Sequence, residues 1–212
     1  MRRTTGWLLL LLLVTLWGCS NTVLVPVPPR MELKEYGTLG VAEFSSNYTP
    51  AVNARAMREL QARIHAAQPG TRLVELGSRE VLLATVGSRQ LDPEALKKIG
   101  AKYGVDAIFL GEITYSEPKT NININSTSKL EGSARTDVRG DISARLVETR
   151  TGAAVWSSSA WGTRQVGRVD VSGYQGVSTT VRNSDVRDDM VQTLVLHLTE
   201  DFRPSTVRQK VK

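Results

Sequence analysis

Few residues in this chain are of types that do chemistry, and their spacing limits what that chemistry is. His65 and His197 are the two imidazoles in 212 residues. Neither has a second ligand at helical spacing, so there is no helix that sets two histidines around a glutamate to bind zinc. A glycine-flanked nucleophilic serine and a phosphate-cradling glycine loop are also missing. Asp188 and Asp189 come nearest to a carboxylate pair, but adjacent residues on a helix point apart. Acids at that place suit the start of a helix. Trp156 and Trp161 lie five apart along a strand, which sends them to opposite faces: one to a core, the other to a contact surface or packed edge. Both histidines read as surface or boundary residues. The chain is therefore expected to have no catalytic, cofactor-binding or metal-binding residues and to be no enzyme.

The remaining reactive group is Cys19, the single thiol. It closes an N-terminal segment built like an export signal. Arg2 and Arg3 supply the positive start, Trp7 to Trp17 an apolar run of 11 residues, and Gly18 the small residue before the cysteine. A membrane-spanning helix needs about 20 apolar residues, so the segment is expected to be cut off. Leu16-Trp17-Gly18-Cys19 resembles a bacterial lipoprotein signal, in which the cysteine is acylated and becomes the new N-terminus. The alternatives are an ordinary secretory signal with an incidental cysteine and an uncleaved short anchor. Two or more acyl chains on Cys19 anchor stably where one is marginal. Ser20 stands where an Asp retains enteric lipoproteins in the inner membrane, which favours the outer membrane.

Charge narrows the partners. The formal excess is +6, and loss of Arg2 and Arg3 with the signal lowers it by two. Basic residues are interleaved with acids except at the tail, where Arg203, Arg208, Lys210 and Lys212 follow Glu200 and Asp201. A nucleic-acid binder shows a basic stripe with aromatics in it; none is present, and nucleic acid is excluded as a partner. With Cys19 acylated no disulfide can form, so the core alone holds the fold.

Residues 1–18 read as the signal, 19–36 as the lipidated cysteine and a proline-rich tether without sheet pairing, 37–203 as a single α/β domain, and 204–212 as a basic tail. Thr38 to Phe44 is a short apolar strand. Thr49-Pro50 opens a helix whose Val52, Ala56, Leu60 and Ile64 make one buried stripe. A strand at Arg72–Leu76 and a helix from Ser78 to Gly87 follow. Asp92-Pro93 opens a further helix, and Gly104 stops it. Asp106 to Tyr115 reads as a central strand, apolar on both faces. Arg135 to Glu148 alternates, with Val138, Ile142, Ala144 and Leu146 on one face and Arg135, Asp137, Arg139, Asp141 and Arg145 on the other. Ala153 to Thr163 pairs back on it, and Asp185 to Phe202 is the last helix. The expected fold is α/β (α+β): a mixed sheet of about five strands, with helices on one face.

Three blocks carry a resemblance. They are Gly40-Val41-Ala42-Glu43-Phe44, the run Gly104-Val105-Asp106-Ala107-Ile108-Phe109-Leu110-Gly111-Glu112-Ile113, and the stretch from Ala144 to Ser157 with its Thr151-Gly152 turn and Trp156. In this order, after a lipoprotein signal, they resemble a superfamily of bacterial envelope lipoproteins. It includes the curli secretion channel family, the lipoprotein activators of penicillin-binding proteins and the N-terminal domain of TolB. The motifs are structural, and no functional residue transfers except the lipidated Cys19. The resemblance implies a lipid-anchored protein at the periplasmic face of the outer membrane, without cofactors. It would act as a scaffold or accessory factor in envelope assembly or export, with envelope proteins or identical subunits as partners. The alternative is an activator of a peptidoglycan synthase.

A secretion pore is the third reading, because segments 120–130 and 166–181 stand where curli channel relatives carry membrane hairpins. Ile122, Ile124 and Leu130 share one parity in the first segment. Val169, Val171, Val177 and Val181 share one in the second. A transmembrane strand needs about 9–11 alternating residues and aromatic girdles. These segments fall short, so a soluble hairpin or subunit contact is the default. If Cys19 is the acylation site, Cys19→Ser abolishes labelling with palmitate and releases the protein from membranes; label retained by the variant would sink that premise.

Overall fold

The alternation read in the sequence becomes strands, and the helical stripes become helices, each placed by local chemistry. The computed structural model describes residues 22–181 and 185–210; the expected signal segment and Cys19 lie outside the described residues. The chain divides into two units. The smaller pairs the chain ends: strand β1 (Thr22–Val27) runs antiparallel to β10 (Ser205–Lys210), so the stretch expected as a tether without sheet pairing and the expected basic tail each hold a strand, because the extended backbone that proline favours also suits an edge pairing.

The larger unit spans Arg30–Arg203. A 3-10 turn (Leu33–Tyr36) leads into β2 (Thr38–Ala42) and the two-residue β3 (Ser45–Ser46). Helix α1 (Pro50–Ala67), strand β4 (Arg72–Gly77) and helices α2 (Arg79–Val86) and α3 (Pro93–Tyr103) follow. Then come β5 (Ala107–Tyr115), β6 (Lys119–Ser126), β7 (Glu131–Glu148), β8 (Ala154–Ser172) and β9 (Gly176–Val181). Helix α4 (Val186–Leu198) and a 3-10 turn at Glu200–Phe202 close it. The caps act where the sequence puts them. Asp92 accepts the Ala95 N–H at 2.7 Å, and Ser78 caps α2 through the Val81 N–H. Gly104 ends α3 in the left-handed region at φ 64°, which costs glycine nothing. Thr49 stands at the N-cap of α1 without a side-chain capping bond, so Pro50 alone marks that start.

The sheet runs β4-β2-β5-β7-β8-β9, with β3 on β5 and β6 on β7. β2 is parallel to β4 and β5; from β5 onward all pairs are antiparallel. The mixed α/β class is as expected, but the sheet has eight strands instead of about five. Besides the two-residue β3, the difference lies in β7 and β8, which are 18 and 19 residues long. They outrun the helices and recruit β6 and β9 from polar sequence that carries little apolar signal.

Helices pack on both faces of the sheet, not on one as expected. Phe109 of β5 joins a core with residues of α1 and α4, including Leu60 and Val191. Ile108, its neighbour, joins a second core with Leu82 of α2 and Ile99 of α3. That is why β5 is apolar on both sides. The boundary of the expected tether also differs. Leu33 is fully buried, and the Gln68 side chain pins the segment around it. Its Oε1 accepts the Leu33 N–H at 2.7 Å, and its Nε2 donates to the carbonyls of Met31 at 2.6 Å and Phe202 at 3.1 Å. Prolines 26, 28 and 29 mark an extended backbone, but they leave Met31 to Tyr36 free to pack.

Gly111 of β5 is a tight approach. A Cβ there would lie 2.1 to 2.5 Å from Phe44 ring atoms, far inside van der Waals contact. Gly111→Ala should destabilise the fold by roughly 1–3 kcal/mol through overpacking, read as a lower urea midpoint; an unchanged midpoint would show that Phe44 yields freely.

Candidate functional site

The residues first weighed for chemistry stay apart. His65 is exposed near the end of α1, and His197 is exposed with its Nδ1 2.9 Å from Glu200 Oε1. Asp188 pairs with Arg55 of α1, while Asp189, next to it, is exposed. Among the described residues no group of three or more histidines, cysteines or acids is placed to hold a metal. Cys19 lies outside the described residues.

What the fold does bring together is the two apolar parity sets. Opposed residues in an antiparallel sheet share a face. Ile122 of β6 stands opposite Ala134 of β7, which stands opposite Val169 of β8, opposite Thr179 of β9. The next row is Ile124, Gly132, Val171 and Val177; the row on the other side is Thr120, Thr136, Gly167 and Val181. Four strands thus form an extension with one apolar face. Ile122 is 74% exposed, Val177 67% and Val181 72%, so among the described residues that face is uncovered there.

The face continues the core. Thr136, Val138, Gly140 and Ile142 alternate on one side of β7, and Val138 and Ile142 are buried among α4 residues. The cover ends where α4 begins. There the Tyr115 hydroxyl donates to the Arg187 carbonyl at 2.8 Å, and burial pushes its phenol well above the ordinary range. The Arg187 guanidinium lies 4.8 Å from the centre of the Tyr48 ring. Beyond this seal the sheet face is bare.

The turns at the far end sit together. A Cβ on Gly173 would lie 2.5 Å from the Lys129 carbonyl oxygen, so the β8–β9 turn rests on the β6–β7 turn. Leu130 is in that turn at φ 53° rather than in a strand beside Ile124. Tyr174 is 97% exposed. The two glycines of Ser172-Gly173-Tyr174-Gln175-Gly176 are the sequence signal for this turn.

The opposite face is charged. Arg135 pairs with Asp137, Arg139 with Asp141, and Arg168 with Asp170, each two residues along a strand. Hydrogen bonds from the two arginines hold the Asp141 and Asp170 carboxyls below the usual carboxylate range. Arg139 also lies 4.7 Å from the centre of the Trp161 ring. Trp161, 63% exposed, borders a shallow groove of about 410 Å³ with Glu112, Thr114, Asp141 and Ser143. Trp156 goes the other way, into the core with Phe109 and Phe202 at 5.8 and 4.7 Å between ring centres.

No family model and no curated protein matches the sequence. Among solved structures, the chain is similar to a PelC dodecamer subunit from Paraburkholderia phytofirmans: 12% identity, 86% of this chain and 97% of that one, TM-score 0.42. It is similar to the lipoprotein GNA1162 from Neisseria meningitidis at 18% identity, over 60% of this chain and 83% of that one, TM-score 0.32. It is similar to the LpoB C-terminal domain from Salmonella enterica at 12% identity, with the same two coverages, 60% and 83%, and TM-score 0.36.

The two tryptophans give a direct check on the faces. Trp156→Ala should cost about 3–5 kcal/mol in unfolding free energy, whereas Trp161→Ala should stay within about 0.5 kcal/mol; comparable losses in urea titrations would contradict this assignment of faces.

Proposed function

We propose that the protein is a non-enzymatic lipoprotein of the bacterial envelope, held by acyl chains on Cys19 at the periplasmic face of the outer membrane. It serves as a scaffold or accessory factor in envelope assembly or export. The observation that carries this reading is the uncovered apolar face of the β6–β9 extension. A contiguous apolar patch in water marks a surface built to be covered. Its occupant is a second copy of the chain. β6 and β9 are free edges at opposite borders of the extension, and the apolar rows reach both. Copies packed with these faces against one another take the apolar rows of both out of water. β6 and β9 are 8 and 6 residues long, short of the about 9–11 that cross a membrane, which favours a docking surface over a pore wall.

The charged face favours a second reading, the activator of a peptidoglycan synthase. Its paired charges and exposed Trp161 suit a polar, reversible contact with another protein, and the resemblance to activators of penicillin-binding proteins points the same way. In the first reading, the full-length lipidated protein in mild detergent has the mass of a discrete oligomer. Ile122→Asp combined with Val177→Asp reduces it to a monomer, with the unfolding midpoint nearly unchanged because both sites are exposed. A wild-type monomer would remove the second copy as occupant and turn attention to the charged face.

A further inference from the structure

The chain ends form an amphipathic ribbon of their own. β1 and β10 pair from Thr22 opposite Lys210 to Val27 opposite Ser205. Opposed residues share a face, so Val23, Val25 and Val27 lie on one face with Gln209, Val207 and Ser205, which stand opposite them in that order. Thr22, Thr206 and Arg208 lie on the other face with Leu24 and Pro26. All four valines are exposed, from 36% to 54%. Two strands alone are marginal in water and need a surface against an apolar face.

The chain points to which surface. Cys19 precedes Thr22 by three residues, a reach of at most about 11 Å when fully extended. Acyl chains on Cys19 therefore bring the ribbon to the depth of the lipid headgroups. Arg208 is on the face opposite the valines, and Lys210 and Lys212 follow in sequence. Valines on one face with Arg208 on the other suit an element that lies in an interface containing anionic lipid.

We propose that the β1–β10 ribbon lies in the membrane interface, with its valines toward the acyl chains and Arg208 toward the lipid phosphates. It is a second contact that holds both chain ends against the bilayer, and it rests on the reading of Cys19 as a lipid anchor. The unpaired backbone groups along its edges have no partners in hydrocarbon, which keeps the ribbon at the interface and stops it from inserting more deeply.

Cys19 is the only cysteine and is consumed by acylation, so one added thiol reports on one place. Val25→Cys, and on the opposite face Thr206→Cys, are labelled with a polarity-sensitive fluorophore in the full-length lipidated protein. The protein is reconstituted in vesicles of phosphatidylethanolamine and phosphatidylglycerol. The expected result is a blue-shifted emission at position 25 that an aqueous quencher does not reach, and an unshifted, quenched emission at position 206. Adding Arg208→Glu should restore most of the quenching at position 25. Full quenching at position 25 while the protein still floats with the vesicles overturns the ribbon contact and leaves the anchor standing. If Cys19 takes up no acyl label, the anchor reading fails by itself. The ribbon is then judged by whether position 25 still shifts on adding vesicles: it stands if so and falls if not. Protection of position 25 in detergent together with a doubled particle mass overturns the proposal in favour of a second copy on the valine face.

Discussion

β7 hydrogen-bonds β5 and β6 end to end along one edge and β8 along the other. The faces of the sheet follow from that register. The even-numbered residues from Gly132 to Leu146 look to one side. Beneath α1 and α4 they are core, as Val138, Ile142 and Leu146 show; past the start of α4 they are the floor of an exposed apolar surface. A slip of one residue would exchange this set for the arginines and aspartates of the other face. β8 follows β7 with two register shifts, one at Leu146/Val147 and one at Thr136/Asp137. Thr136 stands opposite Gly167 and Asp137 opposite Gln165, so Val166 is the extra residue. That residue resets the alternation and puts Trp156 and Val169, which have opposite parity, on the same side.

Elsewhere the larger unit is closed by groups that bonding makes tolerable to bury. Gln68 gives up water for three backbone partners, and Thr149 donates its hydroxyl toward the carbonyls of Val105 and Asp106. An unpartnered amide or hydroxyl in those places would cost about 1–3 kcal/mol. Gln68 thus ties the entry segment and the last turn to the end of α1. The cluster of Phe109, Trp156 and Phe202 packs nearby in the same core.

The two faces of the extension ask for different company. The apolar rows gain by leaving water, whereas the Arg–Asp pairs are comfortable in it and contribute little to stability. A protein that merely needed solubility would have no reason to carry the first face beyond its last covering helix.

Much of the fold was legible because its signals are local. The cap at Asp92, the stop at Gly104, the stripe of α1 and the alternation of β7 each depend on residues a few positions apart. The apolar parity of Ile122 and Ile124, and of Val169, Val171, Val177 and Val181, was legible too. That these are one face was not, because it depends on which residue of β6 stands opposite which residue of β7, and on the bulge at Val166. The burial of Leu33 and the pairing of β1 with β10 were hidden for the same reason: their partners lie more than a hundred residues away in sequence or across a helix. The sequence by itself determined the class of fold, the local elements and the absence of any familiar catalytic pattern, since periodicity and capping are short-range physics. Only the tertiary structure decided the eight-stranded sheet, the helices on both faces and the continuous exposed apolar surface, since strand register is set by pairing between distant parts of the chain.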